Sequence, residues 1–166
     1  LQFAEAQAKI HSFQGLDLDV PTQKEMFPVV LERVDLLSPA LKKSILRRLE
    51  ELPEGDRLCH GDYHPFNIIQ SPRGPIVIDW NNSHKGNPLE DVARSVVMCE
   101  GFRLMMPEID SAVVRYTRLY LERYFELTGA TRAQIDAWWP VVCAIRLVDA
   151  EPVLYSWLLA EIKSSL

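Results

Sequence analysis

The sequence predicts a single α+β domain that is mostly helical, with helices packed around a small β-hairpin. The chain has 166 residues, of which 48% are apolar, and this is enough to bury a sizeable core. Apolar residues recur at helical spacing along most of the chain, whereas short strand-like runs occur only between residues 57 and 79. These observations favour helices surrounding a small β element.

Residues 1–56 form the first predicted segment, which is helical. Its third helix is marked most clearly, because Ser38 can act as the N-cap and Pro39 occupies the first helical position. An acidic, turn-rich stretch at residues 16–21 predicts a loop between the first two helices. The predicted helices of this segment cover residues 1–13, about 22–36, and 39 to about 52.

Residues 57–96 form the second predicted segment, which contains the β structure and the start of a long helix. Turn-forming residues at positions 71–74 separate two of its apolar runs and predict a hairpin. Asn87 as N-cap and Pro88 at the first helical position predict the helix. The predicted strands cover Arg57 to Cys59, Asn67 to Gln70, and Pro75 to Asp79.

Residues 97–166 form the third predicted segment, in which further helices complete the domain. Pro107 is expected to open a helix that Gly129 ends. Thr131 and Gln134 have the spacing of a capping box and predict the start of the next helix. Pro140 and Pro152 are then expected to divide or kink the remaining helical sequence.

Charge and cysteine content narrow the class of protein. A net charge of -5 argues against a nucleic-acid groove or an anionic membrane surface as partner, since both require a concentrated basic face. No stretch of eighteen apolar residues is present to span a bilayer. Cys59, Cys99 and Cys143 are far apart among apolar neighbours, which is typical of buried, reduced thiols. We therefore expect a cytoplasmic protein.

The stretch HGDYHPFN at residues 60–67 concentrates polar chemistry beside the predicted hairpin. Asp62 and Asn67 lie five residues apart, and Asp79 ends the strand that pairs with the strand beginning at Asn67. Carboxylate and carboxamide oxygens suit Mg²⁺ that carries substrate phosphates. Protein kinases have the same spacing between a catalytic Asp and a metal-binding Asn, followed by a further metal-binding Asp. The pattern predicts phosphoryl-transfer chemistry.

The sequence HGDYHPFN, followed by IVIDW and then GNPLEDVA, resembles the aminoglycoside phosphotransferase family, whose relatives include choline kinase and the protein kinases. The match runs from Leu58 to about Val96, and the helix LQFAEAQAKIHSF is similar but less specific. The resemblance implies the larger, C-terminal lobe of a protein kinase-like fold. It also implies these roles: Asp62 as catalytic base, Asn67 and Asp79 as magnesium ligands, His60 as a brace for the loop, Asp91 as its backbone anchor, and His64 in phosphate contact or loop stabilisation.

The family's smaller, nucleotide-gripping lobe has no counterpart in the sequence. The glycines never approach GxGxxG spacing, and no strand-borne lysine is followed by a helical glutamate. Together with the start at Leu1, this predicts a fragment without roughly ninety residues of the family's two-lobe architecture. Such a lobe alone should bind nucleotide weakly and transfer phosphate poorly, or be inactive.

The resemblance implies an ATP- or GTP-dependent kinase that uses Mg²⁺ and phosphorylates a hydroxyl of a small molecule. Negative charge at Asp17 to Asp19 and on the helices after Glu100 favours an amine-bearing acceptor, such as an aminoglycoside or an amino alcohol. The acceptor itself, the choice between ATP and GTP, and the oligomeric state do not follow from the sequence. Self-association through the face left by a missing lobe is a further expectation.

Two other functions fit parts of the sequence. His60, Asp62, His64 and Asp79 could be ligands of a transition metal in a hydrolase, although this leaves Asn67 and the GNPLED segment unexplained. A kinase-like lobe could also be a non-catalytic binding module. Taken singly, each polar residue has a simpler role, because Asp and Asn are common in turns and a buried histidine is commonly structural. The combination and spacing favour the kinase.

Overall fold

The computed structural model describes residues 2–14 and 19–166, which fold as helices around two small antiparallel sheets. The predicted fold class is confirmed in this part of the chain. Residues 16–18 of the acidic loop predicted at residues 16–21 lie outside the described residues. The helices are α1 (Gln2–Ile10), α2 (Gln23–Glu32), α3 (Pro39–Glu51), α4 (Pro88–Met105), α5 (Asp110–Thr128), α6 (Arg132–Asp136), α7 (Trp139–Arg146) and α8 (Tyr155–Ser165).

The strands form two pairs rather than one hairpin. The predicted hairpin is present as β2 against β3, with Ile69 opposite Ile76. A second pair, β1 against β4, joins the start of the polar loop to the segment before α4, and sequence patterns did not predict β4. The strands are β1 (Arg57–Cys59), β2 (Ile68–Ser71), β3 (Gly74–Val77) and β4 (His84–Gly86).

Helix α4 forms the centre of the domain and carries polar residues into its interior. It begins as predicted, because the side chain of Asn87 accepts a hydrogen bond from the backbone N–H of Leu89 at 3.0 Å and Pro88 follows the cap. The helix packs against α5, α6, α7 and β1 and is buried along most of its length. Its first turn therefore holds Asp91 at 0% exposure, behind the loop that follows β1.

The first two helices are shorter than the sequence predicts. Helix α1 ends at Ile10 rather than near Phe13, because the carbonyl of Phe13 accepts a hydrogen bond from the N–H of Leu58 and the chain turns there to meet β1. Helix α2 ends at Glu32, and the chain then passes through turns towards α3. The end of α1 is thus followed by a contact with β1 that local periodicity does not contain.

Candidate active site

Asp62 and Asn67 lie together at the entrance to the β2–β3 hairpin. A short 3₁₀ turn over Pro65–Asn67 reverses the chain between them, and it is capped by the ring of His64, whose Nδ1 accepts the N–H of Phe66 at 3.2 Å. The turn places Asn67 ahead of β2 rather than within it. The Asn67 side-chain amide donates to both the backbone carbonyl and Oδ2 of Asp62, each at 3.0 Å. The two predicted site residues are thus in direct contact.

The Asp62 carboxylate is held in its charged form. Its side chain is 20% exposed, with His64 Nε2 at 3.4 Å from Oδ2 and Arg94 Nη2 at 4.0 Å from Oδ1. Burial opposes ionisation, but the hydrogen bond from His64 and the charge of Arg94 outweigh it, so the pKa of Asp62 lies below its usual value. At neutral pH this group is an anion that can accept a proton or a hydrogen bond.

Asp79 lies next to Asn67, just beyond the end of β3. The N–H of Ile78 donates to the carbonyl of Asn67 at 3.0 Å, which continues the hairpin ladder by one residue. Asp79 has φ of 64°, in the left-handed region, and among residues 2–14 and 19–166 no other residue except glycine has positive φ. Its side chain is exposed, and Oδ1 accepts a hydrogen bond from Asn81 at 2.6 Å. Strained backbone of this kind is concentrated at functional sites.

His60 is fully buried and links the Asp62 loop to the end of β3. Its Nδ1 accepts the N–H of Asp62 at 3.2 Å, and its Nε2 donates to the carbonyl of Ile78 at 3.0 Å. Its ring lies 4.6 Å from that of Trp80. Because both ring nitrogens are engaged, His60 positions the two segments that carry Asp62 and Asp79.

Asp91 lies behind the same loop and accepts four hydrogen bonds. The N–H groups of His60 and Gly61 donate to it at 3.2 and 2.7 Å, and Gln7 Nε2 and His11 Nε2 donate at 3.0 Å each. Burial would raise its pKa, but the hydrogen bond and charge of His11 and the bond from Gln7 hold the pKa of Asp91 well below its usual range. The carboxylate therefore fixes the backbone of the loop to α1 and α4.

Gly61 allows the Asp62 loop to approach the backbone of Asn82 closely. Its φ is 74°, and a Cβ at this position would lie 2.2 Å from the carbonyl oxygen of Asn82. A side chain here would both strain the backbone and push the loop away from Asn82. The glycine in the HGD sequence is thus required by the geometry of the loop.

Several residues around the site were not singled out in the sequence. Gln7 lies on α1 and His11 directly follows the end of this helix, and His11 Nδ1 also contacts the hydroxyl of Tyr124 at 2.7 Å. The signal available in the sequence was the position of Gln7 at helical spacing from the apolar residues Ala4 and Ile10. Arg94 lies one turn after Asp91 on α4 and reaches Asp62, and its spacing from Asp91 was the corresponding signal.

The predicted hydrolase ligands do not form a cluster in the described part of the chain. No group of three or more His, Cys, Asp or Glu side chains there lies close enough to hold a metal ion. The ring of His60 already makes two hydrogen bonds to the backbone. Cys59, Cys99 and Cys143 are buried and unpaired there, as predicted, and none of the described helices combines the length and apolar character needed to cross a membrane.

Comparison with known proteins identifies the family. The family model described as "APH: Phosphotransferase enzyme family" matches residues 2–138. No curated protein matches the sequence. Among solved structures, a thermostable mutant of the aminoglycoside phosphotransferase APH(4)-Ia in its apo form superposes with a TM-score of 0.62 at 19% identity. The choline kinase LicA from Streptococcus pneumoniae superposes with a TM-score of 0.63 at 17% identity.

The superpositions cover nearly all of this chain but only part of each neighbour. They include 99% and 98% of the chain, against 62% of the aminoglycoside phosphotransferase and 63% of the choline kinase. At these identities the likeness concerns the fold, and it matches the larger, mostly helical C-terminal lobe of a kinase-like protein. The family model extends over most of the chain, including HGDYHPFN, IVIDW and GNPLEDVA. The chain belongs to the phosphotransferase enzyme family.

Proposed function

We propose that this chain is the catalytic lobe of an ATP- or GTP-dependent kinase that phosphorylates a hydroxyl of a small molecule with the help of Mg²⁺. The observation that carries the proposal is the contact of Asp62 with Asn67 at the entrance to the hairpin, where Asp79 directly follows Ile78, whose N–H donates to the carbonyl of Asn67. Family membership supports phosphotransferase chemistry in general. The order and spacing of the three residues support their assignment to that chemistry.

Asp62 is the residue suited to act as base. Its Oδ2 is occupied by Asn67 and His64, whereas the nearest described cation to Oδ1 is Arg94 Nη2, at 4.0 Å. Oδ1 is therefore the oxygen left to accept a hydrogen bond from an acceptor hydroxyl. Because the pKa of Asp62 is lowered, the group orients the hydroxyl and takes its proton as transfer proceeds.

Asn67 and Asp79 fit the role of magnesium ligands. Both Asn67 amide bonds to Asp62 are made by its nitrogen, so the amide oxygen lies on the other side of the group. Asp79 presents an exposed carboxylate from a backbone held in the left-handed region. Two oxygen donors suit Mg²⁺, which keeps several waters and binds proteins through few side chains together with substrate phosphates. Bound there, the ion would neutralise charge on the phosphates.

The hairpin offers an apolar surface next to these ligands. Ile69 and Ile76, directly opposite each other, are each 50% exposed, and Phe66 in the preceding turn is 66% exposed. This surface suits the base of a nucleotide, since flat apolar contacts favour aromatic rings. Self-association through the same surface stays a prediction.

The proposal is tested by phosphoryl transfer with protein expressed from the complete coding sequence. Asp62→Asn should lower kcat by about 100-fold or more, because it removes the base while preserving shape. Asp79→Asn should lower activity and raise the Mg²⁺ concentration needed for half-maximal rate. Asp136→Asn, on the exposed face of α6, serves as the matched control.

The outcomes separate the alternatives. Unchanged rates in both Asp62→Asn and Asp79→Asn would contradict the site assignment. Binding of MgATP without any transfer would favour the binding module. Stoichiometric zinc or manganese that survives dialysis would favour the hydrolase.

A further inference from the structure

A small cavity lies next to the loop that carries Asp62, with Gly61 and Arg94 in its lining. It has a volume of about 60 Å³ and lies between α2 and α7, whose apolar side chains form one wall. Gly61, Asn82, Arg94 and Asp149 contribute to the rest of the lining. Arg94, which lines the cavity, lies 4.0 Å from Asp62 Oδ1, the oxygen assigned to the acceptor, whereas neither Asn67 nor Asp79 lines it.

The acidic groups of this cavity are already paired. Asp149 accepts from Arg94 Nη2 at 2.9 Å through one oxygen and from Arg146 through the other. Glu90 pairs with His84 at 3.1 Å, and both side chains are 1% exposed. Within the described residues the lining therefore offers no unpaired carboxylate to an ammonium group.

The acidic positions expected to recognise an amine give no better support. Glu100 and Asp110 both pair with Arg103, at 2.8 and 2.9 Å. Asp17 lies outside the described residues, and Asp19, which is exposed, is not among the residues that line the cavity. Among the described residues, the carboxylates that line the cavity and those of Glu100 and Asp110 are thus each paired with an arginine or a histidine.

Arg94 has unused hydrogen-bonding capacity in this cavity. The residue is 5% exposed, yet in residues 2–14 and 19–166 its guanidinium makes a single hydrogen bond, from Nη2 to Asp149. Its Nε is buried without a partner. A guanidinium has five N–H donors, and buried donors are normally satisfied by protein, water or ligand. Carboxylates match its geometry best, because they accept two parallel hydrogen bonds.

We propose that Arg94 binds a carboxylate of the acceptor in this cavity, so that the substrate is a hydroxylated carboxylic acid, such as a hydroxy acid or a hydroxy amino acid. This inference rests on the proposed kinase function and specifies its substrate class. The small volume suits the carboxylate end of such an acceptor. Arg94 is then a specificity-determining residue on the Oδ1 side of Asp62, whereas the proposed magnesium ligand Asn67 contacts Oδ2.

The experiment compares acceptors that differ by one carboxylate. L-serine is paired with ethanolamine, and glycerate with glycerol, with kanamycin as an aminoglycoside probe, in the MgATP-dependent reaction of the protein expressed from its complete coding sequence. We expect kcat/KM to favour the acid of each pair by roughly tenfold or more, as a charge-assisted hydrogen bond provides. Arg94→Met should abolish this preference through the acceptor KM, with the MgATP KM changed less than about twofold. Arg94→Lys should retain part of it.

Arg118→Met is the matched control, because Arg118 is an exposed arginine that pairs with Glu122. Its acceptor preference should equal that of the unmodified protein. Preference for ethanolamine, glycerol or kanamycin, or an acid preference that survives in Arg94→Met, would overturn the inference. Transfer to kanamycin and to none of the other acceptors would also overturn the inference, but it would leave the proposed kinase function intact. Absence of both MgATP binding and transfer to any probe would instead remove the proposed function on which the inference rests.

Discussion

Asp91→Asn exchanges one oxygen of a fully buried carboxylate for an amide nitrogen while preserving the shape of the side chain. In the native protein Oδ2 accepts hydrogen bonds from Gln7, His11 and the N–H of His60, and Oδ1 accepts one from the N–H of Gly61. An asparagine has only one side-chain oxygen, so it can accept either the hydrogen bonds made to Oδ2 or the one made to Oδ1, but not both sets. The less damaging orientation directs its nitrogen at the N–H of Gly61, where two donors then face each other.

The size of the effect follows from this geometry. One buried donor left without an acceptor costs about 1–3 kcal/mol, and the remaining bonds lose the added strength that a charged acceptor gives. We therefore expect Asp91→Asn to lower the free energy of unfolding by about 2–4 kcal/mol. Asp91→Ala removes all four acceptor contacts and should cost more. Either change is a large part of the roughly 5–15 kcal/mol typical of native proteins.

Urea denaturation followed by tryptophan fluorescence measures this loss. Asp136→Asn is a suitable control, because Asp136 is exposed on α6 and pairs with Arg132 at the surface, so the change should stay within about 0.5 kcal/mol. The pH dependence gives a second readout. The lowered pKa of Asp91 means that its stabilisation is present above the unfolded pKa of about 3.9 and is lost as the pH falls below it.

Asp91→Asn should therefore lose less stability than the unmodified protein between neutral pH and acid. A free energy of unfolding within about 0.5 kcal/mol of the unmodified protein at pH 7 would refute the reasoning, since it would mean that the four hydrogen bonds do not depend on the carboxylate. Reduced stability with unchanged acid sensitivity would show that the charge itself contributes nothing.

Two further predictions concern the surroundings of this carboxylate. Gly61→Ala should destabilise the protein by more than Gly129→Ala. Both glycines have positive φ, but only at Gly61 would a Cβ meet the Asn82 carbonyl. Equal losses of stability in urea denaturation would contradict the steric argument. Burial of His84 disfavours its charge, but its hydrogen bond to Glu90 outweighs burial and raises the pKa of His84. The stability that this pair provides is therefore complete below about pH 6.5 and declines as the pH rises through the folded-state pKa. Denaturation at successive pH values should show this decline and its absence in Glu90→Gln, whereas an identical pH profile in that variant would count against the ion pair.

Local sequence patterns predicted the parts of the fold that depend on neighbours along the chain. The β2–β3 hairpin, the cap at Asn87 and the contact of Asp62 with Asn67 all involve residues at most about ten positions apart. Such features follow from turn chemistry and capping preferences, which act locally. The first strand of the hairpin nevertheless begins at Ile68 rather than at Asn67, because the His64 cap places Asn67 in a 3₁₀ turn.

Features that depend on distant pairing could not be found in this way. Strand β4, with the sequence HKG, has no alternation of apolar and polar residues, and it exists because His84 to Gly86 pair with β1. Gln7 and His11 reach Asp91 across 84 and 80 positions. No periodicity in α1 indicates which polar residue will meet a carboxylate on another helix.

The hydrogen bonds of Asp91 also constrain the order in which the domain can assemble. The loop that carries Asp62 takes its shape only when α1, β1 and α4 have come together around one carboxylate. Contacts between segments this far apart in sequence close large loops and form slowly compared with helices and hairpins. The β2–β3 hairpin can therefore form early, whereas the Asp62 loop becomes ordered only after α1 has docked against α4.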